Sequence, residues 1–96
     1  MRTILLSSAL VLITPAAALA KVPFFNATCG GGIEVHADEG GPVYINGKEA
    51  KLKMVGDAYE AKLGNDSIDF FTNPDGTVTA SWTGKHGANG ICQVDE

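Results

Sequence analysis

From residue 22 onward, apolar and polar side chains alternate in short runs divided by turn-forming residues. At 33–37 the order is Ile, Glu, Val, His, Ala, which predicts a strand with Ile33, Val35 and Ala37 facing a core. Val43, Tyr44 and Ile45 lead into Asn46-Gly47, the strongest hairpin signal in the chain, because both residues accept the positive φ of a type I′ turn. The returning strand has Ala50, Leu52 and Met54 inward and Lys51 and Lys53 outward. Gly56-Asp57 breaks the pattern. It then resumes with Tyr59, Ala61 and Leu63 on one face, and again with the run 67–71. Asn73-Pro74-Asp75-Gly76 combines a fixed φ, an Asx-type bond and a left-handed glycine in one turn. Val78, Ala80 and Trp82 face inward on the next strand, and residues 91–94 form the last. Pro23 marks the opening segment 22–25 as an edge or lead-in. Only residues 48–62 hold enough helix formers to suggest a helix, and Gly56 and Asp57 in their middle argue against one. Seven or eight strands beginning about every ten residues predict an all-β antiparallel meander, closed into a small barrel or folded into a sandwich.

The first 20 residues carry a different pattern. Arg2 precedes an apolar run at 4–13, interrupted by Ser7 and Ser8. Pro15 follows, and Ala18-Leu19-Ala20 offers small residues where a signal peptidase reads them. The expectation is a bacterial secretory signal cleaved before Lys21, then one domain over 21–96 located in the periplasm or secreted. An apolar run of about ten residues is too short to span ~30 Å of hydrocarbon. Residues 26–28 lack the small apolar triplet of a lipoprotein site, so no membrane anchor is expected after cleavage.

Removing the leader changes the charge. The full chain has 7 basic and 11 acidic residues and a net charge of −4. Arg2 leaves with the leader, so six lysines face eleven acids, for a net −5. That balance opposes nucleic-acid binding through basic charge. Cys29 and Cys92 are the only cysteines, and in an oxidising compartment they predict one disulfide. A domain this small gains much from such a staple, because its core alone is marginal.

Candidate chemistry is sparse. His36 and His86 lack further ligands at metal-binding spacing, and the strand pattern places His36 on a solvated face. The glycine-rich segment 84–90 lacks the ending and following helix of a phosphate-binding loop. Ser67 and Ser81 sit on strands without an elbow motif, so the expectation is no metal, no cofactor and a binding protein rather than an enzyme. Function then falls to the loops at 56–59, 73–76 and 84–87. Lys85 is the only basic residue after Lys62.

Several features bring a family into view. They are a cysteine before the first full strand and another in the last, the run from Tyr44 to Leu52 (Y-x-x-G-K-x-A-x-L), Gly56 with Tyr59, and Trp82-Thr83 near Lys85. From about Thr28 to Val94 the chain resembles the bacterial periplasmic and membrane-bound inhibitors of C-type lysozyme. The resemblance implies an eight-stranded antiparallel barrel with one disulfide, and a polar loop that enters the lysozyme cleft. In that family a serine and a lysine reach the catalytic carboxylates, which suits a two-carboxylate glycosidase. Here Val55 stands at the serine position, and Gly84 separates Trp82-Thr83 from Lys85. Aligning Phe70-Phe71-Thr72 instead puts Asn73 at the lysine position. The resemblance therefore implies a binding set of Lys85 and His86, with Tyr59 supporting the neighbouring loop and Asn73 as the alternative contact. The implied partner is a C-type lysozyme or another basic envelope protein, which the −5 charge would steer into encounter. The competing expectation is an envelope module for another ligand on the same scaffold.

Overall fold

The computed structural model describes residues 21–95, so the leader lies outside the described residues. Ten strands follow one another: β1 (Phe25–Cys29), β2 (Ile33–Ala37), β3 (Val43–Ile45), β4 (Lys48–Glu49), β5 (Lys51–Val55), β6 (Ala58–Leu63), β7 (Asp66–Thr72), β8 (Val78–Thr83), β9 (Asn89–Ile91) and β10 (Gln93–Val94). They form two five-stranded antiparallel sheets. Sheet A has the order β10-β1-β2-β3-β4 and sheet B the order β5-β6-β7-β8-β9.

This differs from the eight-stranded barrel expected. The strand expected from Ala50 onward is preceded by a further short strand, β4, with Ala50 between β4 and β5, and the strand expected over 91–94 is divided at Cys92 between β9 and β10. Both corner residues point into the core, at 6% and 5% exposure. The Ala50 N–H still donates to Val43 O in sheet A, and the Cys92 N–H to Ala80 O in sheet B, each at 2.8 Å. Past each corner the strand changes sheets, so the ladders do not close into one continuous barrel.

Alternation holds where it is strongest. Ile33, Val35, Ala37, Val43 and Ile45 are buried on sheet A, and Ala61, Ile68, Phe70 and Ala80 on sheet B. Phe70 packs against Phe25 of the opposite sheet, ring centroids 5.0 Å apart. Asn46 and Gly47 both take positive φ, 52° and 82°, as the hairpin requires. The first strand starts at Phe25 rather than Val22. Val22 is nonetheless buried, and its carbonyl accepts from the Gly40 N–H. Cys29 and Cys92 are bonded across 63 positions, tying the end of β1 to the β9–β10 corner. Closing a loop of that length is worth about 4 kcal/mol in chain entropy.

Leu52 and Met54 depart from expectation. Their register places them beside Ala61 and Tyr59 on the inner face, yet they remain 37% and 49% exposed. Strand β5 is the edge of sheet B, and Gly40, Gly41 and Pro42 line a groove with residues 49–52 on its open side. A Cβ on Gly41 would lie 3.7 Å from Leu52 Cδ2. Glycine carries no side chain, so this connection leaves the edge of the core partly uncovered.

Candidate functional site

A meander sends alternate turns to opposite ends of a sheet. In sheet B the turns at 56–57 and 73–77 lie at one end, and those at 64–65 and 84–88 at the other. The expected binding set is therefore split. Tyr59 and Asn73 lie at the first end, Lys85 and His86 at the second. The strands between them span about 20 Å at ~3.3 Å per residue.

Tyr59 is a packing residue. It is half-buried on β6 and stacks on Phe70 with centroids 5.4 Å apart and planes 17° from parallel. It supports the core and not the Lys85 loop. Asn73 is committed to its own turn. Its side-chain N–H groups donate to Thr77 Oγ1 at 3.0 Å and Thr79 Oγ1 at 2.9 Å, and its backbone N–H to Thr77 O. Asp75 accepts from both the hydroxyl and the backbone N–H of Thr77. These bonds, the hydroxyl's first, hold its carboxyl below the ordinary range.

Lys85 and His86 occupy an exposed 3-10 turn, Lys85–Gly87. The Gly84 N–H donates to Ala88 O at 2.7 Å, and the Ala88 N–H to Lys85 O at 3.1 Å. The Asn89 side chain donates to Gly87 O. His86 holds a left-handed φ of 57°, uncommon for a residue with a Cβ. The tip is thus braced by its own backbone and projects both side chains into solvent.

Beneath this loop sits Trp82, half-buried at the end of β8. Its indole lies among the backbones of Gly30 and Gly31, between β1 and β2, and of Gly84 and Gly90, flanking the loop. A Cβ on Gly30 would come within 2.5 Å of Trp82 Cζ2, and one on Gly90 within 3.0 Å of Nε1. Read along the sequence, these glycines are turn punctuation. Their shared role as a seat for one indole depends on contacts between distant segments.

The same end carries lysines together with Asp66, whose Oδ1 lies beside Gly84. On the outer face of sheet B, Lys51 is directly opposite Lys62, and the row continues through Ser67 and Thr83 to Asn89. In the adjoining row Lys53 reaches Glu60 at 3.6 Å, and Glu60 is opposite Asp69. Partial burial and the nearby Glu60 charge raise the Asp69 carboxyl above its ordinary value.

His36 lies on the outer face expected from its strand, with its side chain 42% exposed, and its ring is engaged there. Its Nδ1 lies 2.7 Å from Asn26 Oδ1, and its Nε2 lies 2.8 Å from Asp38 Oδ1. The ring stacks on Tyr44 and meets Phe24 edge-on. Both ring nitrogens are engaged, so the arrangement latches β1, β2 and the segment after β2 together. Among the described residues no group of three His, Cys, Asp or Glu side chains is placed to hold a metal ion. No described helix is long and apolar enough to cross a membrane.

No family model, curated protein or solved structure matches this chain.

Proposed function

We propose that the domain is a periplasmic or secreted binding protein that places the Lys85–His86 tip in an acidic cleft, with a C-type lysozyme as its best candidate target. The observation that carries this reading is the braced, exposed tip. Backbone bonds across 84–88 hold Lys85 at the summit of a narrow turn, so little loop freedom remains to be lost on binding. A lysine in that position suits a pair of catalytic carboxylates. Lys51 and Lys62 extend positive charge behind it, while the domain's net −5 favours encounter with a basic enzyme. Asn73 does not contribute, because its amide donors are used within its own turn. Activity of a C-type lysozyme measured against a large molar excess of the purified protein tests the proposal. Inhibition that is lost in Lys85→Ala supports it, and full activity at every excess removes it.

The second reading is an envelope module for another ligand. It is favoured by the distance between Tyr59 and the tip, which leaves the resemblance to the inhibitors without its supporting tyrosine. Recovery of a partner other than lysozyme from envelope extract, unaffected by Lys85→Ala, would select it.

A further inference from the structure

Strand β5 is the edge of sheet B, hydrogen-bonded to β6 on one side only among the described residues. All five of its residues are exposed. Its sequence divides cleanly by face. Lys51 and Lys53 project outward, while Leu52 and Met54 project inward and are left partly uncovered. Beside the start of the strand runs an open groove of about 730 Å³, with Gly40, Gly41 and Pro42 on one wall and residues 49–52 on the other.

An open strand edge offers backbone N–H and C=O groups to any extended chain. The side chains of β5 determine which chain fits. Lys51 has Lys62 as its cross-strand neighbour, followed by Ser67 and Thr83, so its register holds two cations and no acid. Neither Lys51 nor Lys62 forms a salt bridge among the described residues. Like charges directly opposite one another are unfavourable, and opposite charges in that position are favourable. The vacant side of β5 is the remaining cross-strand position beside Lys51. A second copy of β5 would bring further lysines to the same face, so self-pairing is opposed. A segment with acids on the outer face would neutralise Lys51, and apolar residues on its inner face would cover Leu52 and Met54.

From this complementarity we infer that β5 is a docking edge for an extended peptide segment of alternating acidic and apolar side chains, bound by strand addition. Lys51 lies at the same end of sheet B as the Lys85 tip, three strands away from β8, but strand addition to β5 does not depend on lysozyme recognition.

The test is a titration of the isotopically labelled protein, followed by amide NMR, with three synthetic hexapeptides. One alternates glutamate and valine, one alternates lysine and valine, and one holds the same glutamates and valines in two blocks. The expected result is amide shifts concentrated on β5 and the groove. The alternating acidic peptide should bind about tenfold more tightly than the lysine peptide, the effect of exchanging attraction for repulsion at two exposed charge positions. Lys51→Glu with Lys53→Glu should invert that preference, and Lys51→Gln with Lys53→Gln should abolish it. Both positions are exposed, and an unchanged spectrum before titration establishes that each variant is folded. Equal binding of the alternating and block acidic peptides would reduce the effect to unspecific charge attraction and overturn the inference. So would shifts located elsewhere, no binding, or self-association through β5.

Discussion

Gly30 meets the indole of Trp82 so closely that a Cβ on it would lie 2.5 Å from Cζ2. Its φ is not in the left-handed region, so the requirement for glycine is steric and set by a residue 52 positions away in sequence. Gly30→Ala should therefore cost about 1–3 kcal/mol, the usual range for overpacking, read from denaturant unfolding. Trp82→Leu in the Gly30→Ala background should cost less than the same change in the wild-type chain. Additive losses would show that the two residues do not press on each other.

Asn73 provides the opposite kind of prediction. It was a candidate contact, yet its amide is bonded to Thr77 and Thr79. Asn73→Ala should lower stability by about 1–2 kcal/mol and leave any lysozyme inhibition unchanged once folding is allowed for. Thermal melts and the inhibition assay, run on the same sample, separate the two effects.

The Lys51–Lys62 pair is predicted to be mildly unfavourable. Lys62→Glu should place an acid opposite Lys51 and raise stability by roughly 0.2–1 kcal/mol, with the gain falling as salt is added. A gain independent of salt would point to a cause other than charge.

Asp69 and Asp75 should act on stability in opposite directions. The raised carboxyl of Asp69 is disfavoured as an anion, so its cost is absent below the ordinary aspartate value of 3.8 and fully present above its folded-state value. Asp69→Asn should stabilise the domain at neutral pH by a small amount, and the gain should fade in acid. The lowered carboxyl of Asp75 contributes above 3.8, and the contribution is lost as pH falls through its folded-state value. Asp75→Asn should destabilise at neutral pH, with the difference shrinking in acid. Unfolding midpoints of both variants across pH check the pair.

Local signals in the sequence carried most of the strand layout. Asn46-Gly47 and the alternation at 33–37 specify their geometry within a few residues, and the structure agrees. The corners at Ala50 and Cys92 were hidden because inside-outside alternation runs through them unbroken; only the hydrogen-bond partner changes. Leu52 and Met54 had the right parity, but burial needs a covering segment, and the one opposite is Gly40-Gly41-Pro42. The seat of Trp82 and the latch around His36 join segments far apart in sequence, which periodicity does not register. The split between Tyr59 and Lys85 was more accessible, since counting the turns of a meander assigns its loops to ends.

Because β1 takes β2 on one side and β10 on the other, its two neighbours are the strand that follows it and the last of the described strands. Every other ladder joins strands adjacent in sequence and forms as a local hairpin. The pairing of Ala27 with Val94 and Thr28 with Gln93 must instead gather the whole domain. Loop-closure entropy makes that step the slowest to nucleate. A chain growing from its N-terminus would hold β1 half-paired until the end, with Cys29 waiting for Cys92. Maturation of this domain should thus be timed by the arrival of β10, and a nascent chain stopped before Cys92 should keep a free thiol.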